Sequence, residues 1–518
     1  MKLERSKNAI RNIKTGLLEK VVLLICPFVV RTVFIYTLGA DYLGLNSLFS
    51  SILIILNMTE LGIGSAIIFS MYQAIAADDF DTINALLHYY RHLYHIIGLI
   101  MLGLGAVLIP FLPYLIQGEV PADINLVAVY LIFLVDSACG YFIFAHYTSL
   151  FYAFQRNDVL QKVNIVVSIL KYASQCFILL FVRDYYVYAI TMPVFTACYS
   201  LVIGLAAKKA YPKIRPYGSV SKEIIKKIKE RVSGVLADKI LGIARNSFDT
   251  VFVSMFFGLA AVAVYGNHIY VMNAITSIML VLLSAIVAGI GNSIATESVE
   301  KNYGDMKRIN FIYMWLASCC TVCLICLYAP FMRLWAGEEM VLPMSSVILF
   351  SSVFYILKMC DVRYTYVQGT GLWKEIRPFS IAEAILNVVL NYVLGKRFGI
   401  NGIIFATAFS LFAVNFCLRS TVLFGHYFSH KELKEFYSSH CLYAFVTAAI
   451  CFISYYVCSY LPETWLFFAV RIVICVLLSN IILMISYRRT KIYKQSSLFL
   501  AECLGIRKES LIYKLLVS

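Results

Sequence analysis

Charged residues are scarce in this sequence: Asp, Glu, Lys and Arg together make up only 14% of its 518 residues. Hydrophobic residues make up 61%, and the mean hydropathy is +0.80. A soluble protein of this length would divide into domains with polar surfaces and would carry more charge. Apolar runs of the roughly 20 residues needed to cross a bilayer recur along the chain instead. The composition excludes a soluble protein and predicts an all-α, polytopic membrane protein.

Two further absences restrict the function. The sequence contains no P-loop motif, which argues against direct ATP hydrolysis. An integral-membrane polysaccharide polymerase would be expected to carry a long outer loop with catalytic Arg or His residues. The predicted outer loops do not exceed roughly a dozen residues, which is near ordinary connection lengths. We therefore expect no enzyme, and the polymerase is the weakest alternative.

Hydropathy windows of about 19 residues predict about fourteen transmembrane spans. They lie at residues 17–38, 48–72, 93–116, 125–150, 160–183, 185–207, 234–258, 265–295, 309–331, 344–367, 377–395, 401–424, 439–460 and 465–487. The basic start of the chain leads into a first span that is too long for a signal-peptide core, so we expect it to remain as a signal anchor.

Basic residues predict the orientation of the spans. The N-terminus, the loop at 208–232 and the tail from Arg488 onward are basic, so the positive-inside rule places both termini in the cytoplasm. The formal net charge of +15 then reflects topology and contact with an anionic lipid bilayer, and nucleic-acid binding is not expected. Ile224, Ile225 and Ile228 share one face of SKEIIKKIKERV, which favours a helix on the membrane surface. Ser429 and Glu432 predict a capping box.

An internal repeat predicts two related halves. GIGSAIIFSMYQAIAADDFDTIN, residues 62–84, has an echo in GIGNSIATESVEKNYGDMKRIN, residues 289–310. Six spans per repeat would give two parallel lobes around a central cavity, with two further C-terminal helices. The predicted divisions are an N-terminal six-helix lobe (1–207), a basic amphipathic cytoplasmic linker (208–233), a C-terminal six-helix lobe (234–424), two extra spans (425–487) and a basic cytoplasmic tail (488–518).

Charged residues inside the predicted spans are the candidate functional residues. They are Arg31, Glu60, Asp136, His146, Lys171, Asp238, Lys239, Arg245, Asp249, Lys358, Asp361, Glu383, Arg419 and Arg471. Each would be costly facing lipid, so most should face a wet cavity or one another. Pairing is the simpler interpretation for Arg245 with Asp249 and for Lys358 with Asp361, because each pair is about one helical turn apart.

The arrangement of these charges favours a cationic lumen. Arg31 follows Pro27 by four residues and has no acid within one helical turn, which suits an anionic substrate. The candidate substrate-binding residues are Arg31, Lys171, Lys239, Arg245, Lys358 and Arg419. The candidates for coupling to H⁺ or Na⁺, or alternatively for structural pairing, are Glu60, Asp136, His146, Asp249 and Asp361. No cofactor is expected.

The densest group of cysteines does not predict a metal site. CCTVCLIC contains Cys319, Cys320, Cys323 and Cys326 in an apolar run, with no histidine or carboxylate beside them. A structural zinc site needs four convergent ligands. We therefore interpret these cysteines as small apolar side chains of a membrane helix.

The first two spans resemble the N-terminal signature of Wzx-type flippases, in RTVFIYTLGADYLGLNSLFSSILIIL and the following TELGIGSAIIFSMYQAIAADD. These flippases form part of the multidrug/oligosaccharidyl-lipid/polysaccharide exporter (MOP) superfamily. The resemblance implies alternating-access transfer of an undecaprenyl-pyrophosphate-linked oligosaccharide to the outer leaflet of the bacterial cytoplasmic membrane. It also suggests a polysaccharide polymerase and chain-length machinery as partners. An ion-coupled multidrug antiporter of the same superfamily remains the nearest alternative.

Overall fold

The computed structural model describes residues 5–57, 63–118 and 120–503. Within these ranges, side chains are described except at residues 5–10, 13, 65, 73, 76, 227, 230–246, 284–286, 288 and 503.

All regular secondary structure in the described ranges is helical. The α-helices are α1 (Arg5–Thr37), α2 (Ala40–Leu56), α3 (Ile63–Ala76), α4 (Phe80–Leu108), α5 (Leu126–Phe142), α6 (Thr148–Ala153), α7 (Asn157–Phe177), α8 (Tyr185–Ala210), α9 (Lys222–Thr296), α10 (Val299–Ala336), α11 (Met344–Thr370), α12 (Trp373–Phe398), α13 (Ile400–Ser410), α14 (Arg419–His426), α15 (His430–Ser459), α16 (Trp465–Tyr487) and α17 (Lys491–Cys503). A 3₁₀ turn extends α4, and π-helical turns follow α7 and α13.

These helices confirm an all-α, polytopic membrane protein. Ten helices among the described residues are long and apolar enough to cross a membrane, and α5 with α6 forms a further, bent pair. Each of the predicted spans overlaps at least one described helix. The class follows from the sequence because a helix satisfies its backbone hydrogen bonds within the segment, as a bilayer requires.

Local signals fix the start of α15 as predicted. The Ser429 hydroxyl accepts from the backbone N–H of Glu432, and the Glu432 carboxylate accepts in return from the backbone N–H of Ser429, at 2.8 Å. This reciprocal arrangement satisfies two donors that the first helical turn leaves without partners. The predicted capping box is therefore confirmed.

The helix α9 turns back on itself at Gly258. This residue has φ 79° and ψ −178°, a conformation that glycine adopts without steric cost. The Tyr265 hydroxyl donates to Asp249 at 3.2 Å, although sixteen residues of straight helix would separate them by about 24 Å. The two arms of α9 thus correspond to the predicted spans at 234–258 and 265–295.

A second interruption separates α5 from α6 and bends the predicted span at 125–150 by 51°. Phe144 lies there in the left-handed region, with φ 50°. Its ring packs on the backbone of α8: a Cβ placed on Gly204 would lie 2.7 Å from the Phe144 Cγ. The absence of a side chain at Gly204 therefore makes the bend possible.

The helices form two compact units, Met1–Gly266 and Asn267–Ser518. In the first unit, α1 packs along α7 and α5 packs along α8. In the second, α12 packs on α13, and α10 packs against α11, α15 and α16. This division falls within the second arm of α9. The sequence-based lobes, the linker at 208–233 and the extra pair of spans at 425–487 remain predictions.

Substitution of Gly258 by Ala should lower the stability of the first unit. The added Cβ would lie 2.7 Å from the backbone oxygen of Gln117, and alanine is strained at this φ. We expect Gly258→Ala to reduce the free energy of unfolding by about 1–3 kcal/mol, measured as a lower melting midpoint of the detergent-purified protein. Gly289→Ala on the same helix is the control, since a Cβ there would have no neighbour within 4 Å. Equal midpoints for the two variants would contradict this account of the turn.

Candidate functional site

The structure describes the side chains of eight of the eleven predicted site residues. Arg31, Asp136, His146, Lys171 and Asp249 belong to the first unit, and Lys358, Asp361 and Arg419 belong to the second. Glu60 and the side chains of Lys239 and Arg245 lie outside the described residues. The predicted roles of these three residues therefore stay predictions.

Arg31 lies against the neighbouring helices of its unit. A Cβ on Gly266 would lie 3.2 Å from Arg31 Nη2 and 3.4 Å from Ser47 Oγ, so a glycine in α9 makes room for the guanidinium beside α2. The charge of Arg31 also acts on the hydroxyl of Tyr188 in α8. The helix α1 runs through Pro27 to reach this position. The guanidinium is thus placed in the interior of the first unit.

Lys171 has an acidic neighbour that comes from another helix. Asp136 on α5 accepts a hydrogen bond from the Thr196 hydroxyl on α8 at 2.6 Å, and its carboxylate interacts electrostatically with Lys171 on α7. Asp136 and Lys171 are far apart in the sequence. A search for acidic residues within one helical turn of Lys171 therefore does not find this neighbour. The structure therefore brings one predicted cation and one predicted acid together.

His146 lies in the 3₁₀ turn at the bend between α5 and α6, and its residue is 4% exposed. Its ring centroid is 4.5 Å from that of Tyr147, and the charged or ionisable groups that act on it are Arg91, His95 and Lys208. These neighbours are cationic or neutral.

Asp249 is 2% exposed and accepts a hydrogen bond from the Tyr265 hydroxyl across the turn in α9.

In the second unit, Lys358 and Asp361 form an ion pair within α11. Lys358 Nζ lies 2.5 Å from Asp361 Oδ2, and the Tyr313 hydroxyl on α10 donates to the same oxygen at 2.6 Å. The Lys358 side chain is 1% exposed, and its ammonium lies 5.6 Å from the centre of the Phe354 ring. Lys358 and Asp361 thus form the structural ion pair that their spacing of three residues in the sequence allows.

Arg419 lies close to Glu383, with 3.6 Å between Nη1 and Oε2. Glu383, Asn387 and Asn391 follow one buried face of α12 at intervals of four residues. Asn387 donates to the Thr407 hydroxyl on α13 at 3.0 Å, and Asn391 donates to Asn387 at 3.3 Å. A low-dielectric interior strengthens such connected hydrogen bonds. The Arg419–Glu383 pair thus joins α14 to α12, and the hydrogen bonds of Asn387 and Asn391 on the same face of α12 reach α13.

Arg363 is a buried cation that is not among the site residues predicted from the sequence. Its residue is 1% exposed, and Nη2 donates to Asn415 Oδ1 at 2.7 Å while Nη1 donates to the Asn415 carbonyl. Asn415 lies in the π-helical turn Leu411–Leu418, where the looser hydrogen-bond ladder leaves a carbonyl available. The signal was present in the sequence, since Arg363 lies inside the predicted span at 344–367.

A second overlooked cluster surrounds Asp158 at the start of α7. Arg11 on α1, Arg156 and Lys162 approach its carboxylate at 2.8, 2.9 and 3.3 Å, and the Asp158 side chain is fully buried. Asn12 accepts from the backbone N–H of Asp158 at 2.8 Å. Three cations thus share one carboxylate and fasten α1 to α7.

Replacing Asp158 by Asn should weaken the attachment of α1 to α7. The amide retains the shape of the side chain but removes the charge that all three cations contact, so we expect a loss of about 1–3 kcal/mol in unfolding free energy. The measurement is the unfolding midpoint of the purified protein. Glu297→Gln is the control, because its pair with Lys301 is exposed and should contribute less than about 0.5 kcal/mol. An unfolding midpoint for Asp158→Asn no lower than that of Glu297→Gln would contradict the assignment.

No protein-family model and no curated protein sequence matches this chain. Among solved structures, the chain is similar to the lipid II flippase MurJ in an inward closed conformation, with a TM-score of 0.66 and 13% identity over 92% of this chain and 99% of that chain. It is also similar to an inward-facing multidrug resistance MATE family transporter of the MOP superfamily, with a TM-score of 0.60 and 14% identity over 80% and 98% of the two chains.

A MATE transporter of Vibrio cholerae, VcmN, gives a TM-score of 0.57 and 16% identity over 83% of this chain and 99% of that chain. These similarities extend over most of the chain and nearly the whole length of each neighbour. At such low identities they establish the fold and not the substrate. The chain therefore has the fold of the MOP-superfamily transporters.

Proposed function

We propose that this chain is a flippase that transfers an undecaprenyl-pyrophosphate-linked oligosaccharide from the cytoplasmic to the outer leaflet of a bacterial cytoplasmic membrane. The product would supply surface polysaccharide such as O-antigen, capsule or exopolysaccharide, through a polymerase and its chain-length machinery. The observation that carries the proposal is the placement of the Arg31 guanidinium between α1, α2 and α9, in a chain whose fold is shared by a lipid II flippase and multidrug transporters.

The chemistry of the substrate explains why an interior arginine matters. A pyrophosphate crossing a bilayer must exchange its hydration for other donors and positive charge, because an ion alone in hydrocarbon is costly. A guanidinium presents a planar set of donors that can bind two phosphate oxygens at once. Lys171 adds a mobile point charge in the same unit, balanced by Asp136 in the absence of substrate.

The described acids argue against the multidrug-antiporter alternative. A pocket for cationic drugs would need a carboxylate that the protein itself leaves uncompensated. Among residues with described side chains, each predicted intramembrane acid already contacts a partner: Asp136 contacts Thr196, Asp249 contacts Tyr265, Asp361 contacts Lys358, and Glu383 contacts Arg419. The carboxylates of Asp361 and Glu383 are thus compensated by cations of the protein itself, which counts against a pocket for cationic drugs built around them.

The remaining cations and acids take secondary roles in the proposal. Lys358 and Arg419, with Lys239 and Arg245, would extend the cationic path, while Asp136, His146, Asp249, Asp361 and Glu60 would couple transport to H⁺ or Na⁺ or hold helices together. Both termini would face the cytoplasm, where the basic loops contact anionic lipid.

Replacing Arg31 by Ala should block transfer of the lipid-linked oligosaccharide. Loss of a charge-assisted, bidentate contact is worth about 1.5–3 kcal/mol, so we expect a fall of about tenfold or more in transfer and a partial effect for Arg31→Lys. In cells whose own copy is deleted, complete repeat units should accumulate on the cytoplasmic leaflet, and surface glycan should fall. Lipid extraction with a leaflet-specific label measures both quantities.

Arg397→Ala is the matched control, because Arg397 lies at the exposed end of α12. It should restore surface glycan as well as the unmodified chain does. Normal lipid-linked pools and normal surface glycan in Arg31→Ala cells, at equal protein levels, would overturn the proposal. Accumulation of a fluorescent cationic drug in the deletion strain would then favour the antiporter.

A further inference from the structure

Three buried cysteines from three different helices converge in the second unit. They are Cys326 on α10, Cys458 on α15 and Cys475 on α16, and their sulfur atoms all lie within 4.8 Å of one another. The Sγ atoms of Cys458 and Cys475 are 3.9 Å apart. The cluster is therefore formed by tertiary packing and not by one local motif.

A fourth thiol lies at the edge of this cluster. Cys323 precedes Cys326 by about one helical turn on α10, so the two cysteines share a face of that helix. Cys323 and Cys326 both belong to the CCTVCLIC run, in which no histidine or carboxylate offers a further metal ligand. The structure supplies the missing sulfur atoms from Cys458 and Cys475, more than a hundred residues farther along the chain.

The spacing of the sulfur atoms suits a shared metal ion. Zinc binds thiolate sulfur at about 2.3 Å, so two ligands of a tetrahedral site lie about 3.8 Å apart. The Cys458–Cys475 separation of 3.9 Å is close to that spacing. A disulfide would instead place one pair of sulfur atoms about 2.05 Å apart and exclude the third. Three mutually close thiols thus fit coordination better than a disulfide bond.

A buried arginine beside the cluster supplies the charge balance. Arg471 is 5% exposed, and its Nη2 donates to the Leu461 carbonyl at 2.6 Å. Its charge acts on Cys458, while its buried Nε has no acceptor among the described residues. Three thiolates around Zn²⁺ carry one net negative charge, which one guanidinium neutralises. Such neutrality matters because uncompensated charge is costly in a low-dielectric interior.

The cluster is accessible from a cavity. Cys326, Cys458 and Arg471 line a cavity of about 770 Å³, whose wall also contains Arg333 and Glu463. This cavity gives an ion a route to the sulfur atoms and gives a water molecule room to coordinate as a fourth ligand. Soft thiolate ligands favour zinc or Cu⁺ over Mg²⁺ or Ca²⁺.

We propose that Cys326, Cys458 and Cys475 bind a zinc ion as thiolates, with a water molecule as the fourth ligand and Arg471 balancing the charge. The site fastens α15 and α16 to α10. These two helices correspond to the two spans that the sequence repeat leaves outside the six-helix halves. The zinc site is structural, and it is independent of the transported substrate.

The first test measures metal in the unmodified, full-length protein. The chain is purified in detergent under reducing conditions without chelator, and metal content is determined by mass spectrometry of the elements. We expect about one zinc per chain, and Co²⁺ substitution should give the charge-transfer absorption of thiolate ligands. Added Zn²⁺ should raise the melting midpoint of chelator-treated protein, because a ligand that binds the folded state stabilises it.

The second test uses paired variants. Cys458→Ala and Cys475→Ala should each reduce zinc content at least tenfold and abolish the Co²⁺ absorption. Cys360→Ala removes an equally buried cysteine from α11 and should leave both unchanged. Unmodified protein that elutes as a monodisperse species but binds no Zn²⁺ or Co²⁺ would overturn the proposal. Detection of a Cys458–Cys475 disulfide by peptide mass spectrometry, or binding of Cu⁺ but not Zn²⁺, would also overturn the zinc assignment.

Discussion

The constraint on which the structure depends is that a charge inside an apolar bundle must find its partner within the chain. Water is not available to solvate it, and the free-energy cost of an isolated ion there is several kcal/mol. Asp361 accordingly contacts Lys358 and Tyr313, and Glu383 contacts Arg419. Each contact joins or orders helices, so the rules that make buried charge costly also determine how these helices pack.

The same scarcity of water governs the backbone. Long helices satisfy their own N–H and C=O groups, so each interruption of a helix needs a local reason. Gly258 turns α9 with a positive φ, and its lack of a side chain lets the Gln117 carbonyl approach. At Phe144 the helix bends over Gly204, and the polar His146 is placed in the turn. Interruptions therefore coincide with close approaches to the backbone.

The fold alone does not choose the cargo, because flippases and multidrug transporters share it. The distinction must come from the charged side chains and from where the fold places them. In the described part of the chain, Asp361 and Glu383 pair with Lys358 and Arg419, and the Arg31 guanidinium lies beside α2 in a space that a glycine provides. The position of that guanidinium is the physical basis for proposing an anionic, lipid-linked substrate.

The sequence by itself determined the all-α membrane class, the approximate positions of the spans and the capping box at Ser429. These features depend on hydropathy and on hydrogen bonds between near neighbours. Only the tertiary structure decided that the charge of Lys171 acts on Asp136, that Arg363 binds Asn415, and that Cys458 and Cys475 lie beside Cys326. These partners lie on different helices or helical segments far apart in the sequence. Their meeting depends on how helices pack, which hydropathy and short-range spacing do not encode.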